Sequence, residues 1–288
     1  MPAVERLATL SGSDFTTLML EVMRRRAARE TPGSLMRRYE RDRFVRPSAL
    51  SWRSLRAAED ALVSCLTADV QVVTLAPLVP LGSHSALGTV SQDKVVTAIR
   101  ACEVGADPTN ALALEAASRR SRSGEGGAET VRLAGVQRVV RAQRFPDGFF
   151  PHFSLLGLVT AGRDEGSCRF ERSALAEHLC FAIDGLTAAG APAVQIALTP
   201  LSDTGARTAA AVAEDLADTA ADIEMDHARR GGRGYYRDLC FKVNILDGGE
   251  VVEIGDGGFT DWAAKLLANN KERLLISGYG LDRLSEFG

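Results

Sequence analysis

The run Leu239-Cys240-Phe241-Lys242-Val243-Asn244-Ile245 is followed by Asp247-Gly248-Gly249 and then by Val251-Val252-Glu253-Ile254. β-Branched and aromatic residues at this density fit a pleated, half-buried surface. The Asp-Gly-Gly step supplies the positive-φ residues of a tight turn, so the stretch reads as a β-hairpin. Outward from it, strand-like runs recur at 70–75, 131–141, 153–160, 194–198 and 274–276. Leu175, Leu179, Ile183 and Leu186 recur at helical spacing up to Gly190. A second helix is expected over 209–225, with Val212, Leu216 and Ile223 inward, and a last one over 260–270. Hairpins dominate and long βαβ repeats are absent. The expected class is α+β: an antiparallel β-sheet flanked by helices, with the helices packed on one side.

The chain divides in composition near residue 48. Residues 1–48 read as a helical, Arg-rich extension and 49–288 as one core domain. Leu18, Leu20, Val22 and Met23 sit among polar residues in an amphipathic helix over 14–29. Nine arginines between Arg24 and Arg46 face only Glu30, Glu40 and Asp42, a local balance of +6. That pattern fits either a patch for RNA or another polyanion, or a solvated, Arg-laced helix pair. Ser51 is placed to cap a helix over 51–66, and 118–130, dominated by Ser, Gly and charge, reads as a loop. The whole chain carries a net charge of -3, which disfavours a globally basic nucleic-acid binder. Cys65, Cys102, Cys168, Cys180 and Cys240 are scattered, and the four histidines show no ligand spacing. A disulfide frame and a Cys/His metal site are therefore not expected. With neither a signal layout nor an apolar run of about 20 residues, the expected location is the cytoplasm.

Several segments carry chemistry. Arg138-Val139-Val140-Arg141-Ala142-Gln143 precedes a turn and then Phe149-Phe150-Pro151-His152-Phe153. Ser277-Gly278-Tyr279-Gly280-Leu281-Asp282-Arg283-Leu284 follows much later. Between them lie Arg233-Gly234-Tyr235-Tyr236-Arg237-Asp238-Leu239 and Gly257-Gly258-Phe259-Thr260-Asp261. Upstream stand Ala106-Asp107-Pro108-Thr109-Asn110-Ala111 and the apolar run 70–80, closed by Pro77 and Pro80. In this order the segments resemble the catalytic core of class II aminoacyl-tRNA synthetases, the histidyl type above all. The resemblance covers roughly 50–288. It implies ATP and Mg2+ as cofactors and a homodimer formed through 70–80. It makes Arg141 the α-phosphate ligand, where a guanidinium stabilises charge developing during adenylation. Phe153 becomes the adenine platform, with Gln143 bonding the adenine amino group. Gly278 and Gly280 let the nucleotide approach the backbone, and Arg283 holds its terminal phosphate. On the substrate side it implies Asp107, with Thr109, as receiver of an ammonium group, and Tyr235, Tyr236 and Gly258 as pocket residues.

Plainer readings stand beside these. Asp107 is equally well placed to cap a helix beginning near Thr109. Tyr235 and Tyr236 at a strand start can pack one in and one out, and Gly278 and Gly280 can serve close strand packing. Arg141 and Arg283, taken singly, read as surface arginines, and His152 as a satisfied structural histidine.

Departures from the family pattern shape the expected function. Gln143 stands where the family has Glu, and Phe149 where it has Arg or His. Leu155 and Val159 replace two polar pocket residues, so an apolar side-chain pocket is expected. A buried imidazole there would lose hydrogen bonds worth about 1–3 kcal/mol each, which argues against histidine as substrate. Arg229, Arg230 and Arg233 all remain candidates for the family's catalytic arginine. Gly288 comes five residues after Arg283, so no anticodon-binding domain is expected. The expectation is a freestanding enzyme that adenylates an amino acid or other small carboxylate with ATP and passes the acyl group to tRNA or another nucleophile. The alternative is a non-catalytic regulatory paralogue resembling the regulatory subunit of ATP phosphoribosyltransferase.

Overall fold

The computed structural model describes residues 2–122, 129–145 and 150–287. In chain order it contains helices α1 (Pro2–Ala8), α2 (Gly12–Ala27), α3 (Pro32–Arg41) and α4 (Trp52–Ser64). Strands β1 (Gln71–Val72) and β2 (Leu78–Pro80), helix α5 (Ser83–Ala86), and strands β3 (Thr97–Ala98) and β4 (Cys102–Val104) follow. Next come α6 (Pro108–Arg122), β5 (Val131–Val140), β6 (His152–Arg163), α7 (Arg169–Ala188), β7 (Val194–Pro200) and α8 (Asp203–Asp215). The chain then runs through β8 (Asp222–Met225), β9 (Arg237–Asp247), β10 (Glu250–Thr260), α9 (Trp262–Leu266), β11 (Glu272–Gly280) and α10 (Leu281–Leu284).

The hairpin read from the sequence is β9–β10. Its turn residues Gly248 and Gly249 hold φ of 54° and 91°, which glycine adopts without strain, and Glu250 pairs with Asp247. The hairpin sits inside an eight-stranded sheet of order β1-β5-β6-β11-β10-β9-β7-β8. All neighbours run antiparallel except the two edge pairs, β1 with β5 and β7 with β8. A small sheet, β2-β4-β3, lies apart from it.

Alternation along β6 sorts the core into two layers. Leu156 and Leu158 join Leu175, Leu179 and Leu186 of α7 in one cluster, into which α4, α8 and α10 also pack. Thr160 on the same side meets His178 of α7, whose two ring nitrogens lie 3.0 Å from Thr160 Oγ1 and 2.8 Å from Ser277 Oγ. Val159 and Ala161 instead join Leu112, Ala113 and Ala116 of α6. A side chain at Gly157 would stand 3.0 Å from both Leu112 and Pro108, so α6 crosses this face at close range. Helices therefore cover both faces of the sheet, not one. The sequence expectation missed this because α6, rich in alanine, carries a weak amphipathic signal.

Other expectations shift locally. The helix expected to reach 225 stops at Asp215, and residues 222–225 form β8, with Ile223 paired to Ile196. The expected strand 70–75 shrinks to β1, although Val73 N still donates to the Ala134 carbonyl at 2.8 Å. The helix expected over 260–270 is the shorter α9. The loop expected over 118–130 begins later, since α6 runs through Arg122, and 123–128 lie outside the described residues. Ser51 does cap α4, accepting from Ser54 N. In α2 and α3 no residue is buried, and Arg24, Arg25 and Arg38 pair with Glu21 and Glu30. Among the described residues no helix is long and apolar enough to cross a membrane.

Candidate functional site

A cavity of about 680 Å³ opens on the α6 side of the sheet. Its wall mixes carboxylates from Asp107, Asp226, Glu253 and Asp256 with cations from Lys94, Arg141, Arg229, Arg230 and Lys242. Such a wall is complementary to a small molecule bearing both an ammonium and an anionic group.

At the α6 end, Asp107 precedes the first residue of the helix. Its Oδ1 accepts from Thr109 N at 2.9 Å and from Thr109 Oγ1 at 2.7 Å, which is an N-cap arrangement. Its Oδ2 faces Arg141 Nη2 at 3.5 Å. Arg141, one residue past β5, also donates from Nε to the Ala106 carbonyl at 2.9 Å and lies over the Phe153 ring, 5.1 Å from its centroid. Behind this end, Ala106 N donates to His84 Nε2 at 3.0 Å. The His84 proton is thereby placed on Nδ1, which donates to Asn110 Oδ1 at 2.9 Å. Glu103, fully buried, accepts from Gly82 N and His84 N, each at 3.0 Å. These contacts fix the loop that carries Asp107.

At the other end stand Tyr235, Tyr236, Arg229 and Asp256. The two tyrosine rings meet edge to face at 4.7 Å, and Tyr235 meets Trp262 the same way at 5.5 Å. Gly258 has a packing reason: a Cβ there would fall 2.5 Å from Tyr236 Cδ1. Tyr236 donates its hydroxyl to Asp256 Oδ2 at 3.0 Å. Arg229 donates to the same oxygen at 3.3 Å and to the Phe241 carbonyl at 3.0 Å. Burial pushes the Asp256 carboxyl above the ordinary carboxylate range, against the pull of Arg229 and the Tyr236 hydroxyl. Burial likewise raises both phenols well above 10, so they act as hydroxyls.

A strip of open floor adjoins the cavity. Leu155 pairs with Gly280 and Gly157 with Gly278, so Phe153, Leu155, Gly278 and Gly280 share the cavity-side face. Gly278 has nothing within 4 Å of where a Cβ would lie, and its cross-strand partner on β10 is Asp256. Arg283, in α10, donates from Nη1 to the Glu253 carbonyl at 2.5 Å and does not reach the cavity wall.

The structure thus brings Asp107, Arg141, Gln143, Tyr235 and Tyr236 onto one wall. Thr109 lies behind it as the partner of Asp107. Of the three candidate arginines, Arg229 is the one buried against Asp256, with its side chain 7% exposed; Arg230 lines the wall, and Arg233 turns back to the Arg229 carbonyl. The expected apolar pocket is not formed. Val159 is fully buried beneath α6, and Leu155 sits beside Gly280 off the wall. His152 is satisfied, meeting Arg138 through Nδ1 and the Arg46 carbonyl through Nε2 at 2.6 Å. Phe149 lies outside the described residues. Sequence reasoning missed Asp256, His84, Asn110 and Lys94; the one available signal was a carboxylate at Asp256, inside a strand and directly before Gly257-Gly258.

The large sheet and the helices that flank it match the fold of the class II aminoacyl-tRNA synthetase core. No family model matches the sequence, and no curated protein sequence matches it. Solved structures match the fold. A Bacillus halodurans C protein described as an ATP phosphoribosyltransferase regulatory subunit/histidyl-tRNA synthetase superposes with a TM-score of 0.65 at 13% identity, over 84% of this chain and 80% of that one. A histidine–tRNA ligase subunit from Alicyclobacillus acidocaldarius gives 0.60 at 14%, over 83% and 96%. The apo histidyl-tRNA synthetase of S. aureus gives 0.59 at 14%, over 81% of this chain and 64% of that one. At these identities the likeness is one of fold.

Proposed function

We propose that the cavity binds an amino acid and that the chain activates it with ATP, forming an aminoacyl-adenylate and pyrophosphate. The observation that supports this best is continuity: the amphoteric cavity runs through Asp256 directly onto the open floor at Gly278. A zwitterion in the cavity would present its carboxylate toward a nucleotide lying on that floor. Phe153, Gly278 and Gly280 would seat the nucleotide, and Arg141, Gln143 and Arg283 would hold its polar groups. ATP supplies the leaving group that makes the carboxylate reactive. Mg2+ would enter with the phosphates, because among the described residues no cluster of three or more His, Cys, Asp and Glu is arranged to hold a metal. The adenylated acid would then pass to tRNA or another nucleophile, with the exposed Arg37 and Arg41 of α3 open to a polyanionic acceptor. Because Leu155 and Val159 are off the wall, the ligand side chain meets polar groups. Polar amino acids, histidine among them, are favoured over aliphatic ones.

Two contacts favour a second reading, a non-catalytic regulator that binds an amino acid on the same fold. The guanidinium of Arg141 occupies the face of Phe153 that adenine needs, and Arg283 is bonded to a backbone carbonyl. A thermal-shift screen of the twenty amino acids, with and without Mg·ATP, separates the two. Activation predicts stabilisation that is larger with both ligands together; regulation predicts the same amino-acid shift whether or not ATP is present.

The exposed apolar residues Val72, Leu78 and Leu81 flank a groove of about 550 Å³ lined by Leu75, Val79, Pro80 and Leu114. We infer that this edge is covered in a homodimer.

A further inference from the structure

Two of the four carboxylates on the cavity wall, Asp107 and Asp256, differ in what they have left to offer. Both Asp107 oxygens face protein groups: Oδ1 accepts from the backbone and hydroxyl of Thr109, and Oδ2 lies 3.5 Å from the Arg141 guanidinium. Asp256 differs. Both of its donors, Tyr236 Oη and Arg229 Nη2, land on Oδ2, and among the described residues Oδ1 accepts nothing. The Asp256 side chain is 44% exposed and faces the cavity, and its cross-strand neighbour Gly278 leaves the space beside it open. The cation opposite it on β9, Lys242, is paired with Glu253 at 2.6 Å. Two donors on one oxygen fix the carboxylate plane and leave a charged acceptor with no protein partner, in a cavity that already holds a cation on each side.

We propose that Asp256, through Oδ1, receives the ammonium group of the ligand, and that Asp107 shapes the cavity as a helix cap and as the partner of Arg141. The ligand class is a small molecule with a primary ammonium group; within the reading above, on which this inference rests, it is an amino acid. Asp256 is then the residue that separates amino acids from their 2-hydroxy analogues, because a hydroxyl can give Oδ1 one hydrogen bond but brings it no charge.

The test is calorimetry with matched probes: leucine and 2-hydroxyisocaproate, phenylalanine and 3-phenyllactate, histidine and imidazole-lactate, glutamine and its 2-hydroxy analogue. Wild type should prefer the amino acid at least tenfold in whichever pair binds. Asp256→Asn, which keeps the shape and can still accept from Tyr236, should reduce that preference to within about threefold. Asp256→Glu, which keeps the charge, should restore part of it. Asp107→Asn, which can still cap through Thr109, should leave the preference intact. Retained preference in Asp256→Asn, or its loss in a folded Asp107→Asn, overturns the proposal and spares the amino-acid reading. Binding of none of these amino acids by wild type overturns the reading, and the proposal with it.

Discussion

The Arg141 guanidinium stands between two partners, 5.1 Å from the Phe153 ring centroid and 3.5 Å from the Asp107 carboxylate. The strand geometry explains the position: Arg141 leaves the end of β5 beside Phe153 of β6, where Arg141 N donates to the Pro151 carbonyl at 2.8 Å. A stacked guanidinium of this kind is held by about 0.5–2 kcal/mol, less than a charge-assisted bond to phosphate supplies. Nucleotide binding should therefore pull Arg141 off the ring. Arg141→Ala is expected to weaken Mg·ATP binding at least tenfold by calorimetry, and Arg283→Ala to do the same. Unchanged affinity in both variants would remove them from the nucleotide site.

Acid stability should report on His178. It is fully buried between Thr160 and Ser277, and burial, with Arg132 adding a smaller push, holds its pKa down at about 3. The folded value lies below the unfolded value of about 6.5, so the neutral ring's contribution is present above pH 6.5 and is lost as pH falls toward 3. The slope should approach about 1.4 kcal/mol per pH unit across that window. Urea unfolding of wild type and His178→Gln between pH 7 and pH 4 checks this: the variant should be less stable at pH 7 and flatter in pH.

Arg120 of α6 and Glu272 at the start of β11 form a paired contact with side chains only 4% and 7% exposed. Removing one partner strands the other charge. Glu272→Ala should cost about 3–5 kcal/mol, whereas Arg120→Met combined with Glu272→Leu should cost far less. Equal losses from single and double variants in thermal unfolding would show that the pair contributes through packing alone.

Association should run through the β1–β2 edge. Light scattering at micromolar concentration is expected to give twice the chain mass, and Leu78→Asp with Leu81→Asp to give the monomer. A monomeric wild type would contradict the dimer.

Much of this fold was legible because its strands carry dense β-branched and aromatic residues and its turns carry Asp-Gly-Gly. The β9–β10 hairpin, β5, β6, β7 and α7 came out nearly in register. Legibility failed where pattern and packing part company. Val212, Leu216 and Ile223 keep helical spacing across the break between α8 and β8, and α6 packs on β5, β6 and β11 largely through small residues. Asp107, Arg141, Tyr235 and Tyr236, which share the cavity wall, were legible as a group because each sits in a recognisable segment. Leu155 and Val159 were misplaced because strand position alone does not say that α6 lies on top of Val159. Asp256 went unread because its meaning depends on Arg229 and Tyr236, 27 and 20 residues away in sequence.

The most direct test of the account is exchange of labelled pyrophosphate into ATP by the full chain, with Mg2+ and each amino acid in turn. Activation predicts exchange that depends on one amino acid or a few polar ones and falls more than tenfold in Arg141→Ala, since that contact would strengthen as charge builds on the α-phosphate. Exchange with none of the twenty, from a protein that still binds an amino acid by calorimetry, would contradict the enzyme and leave the regulator.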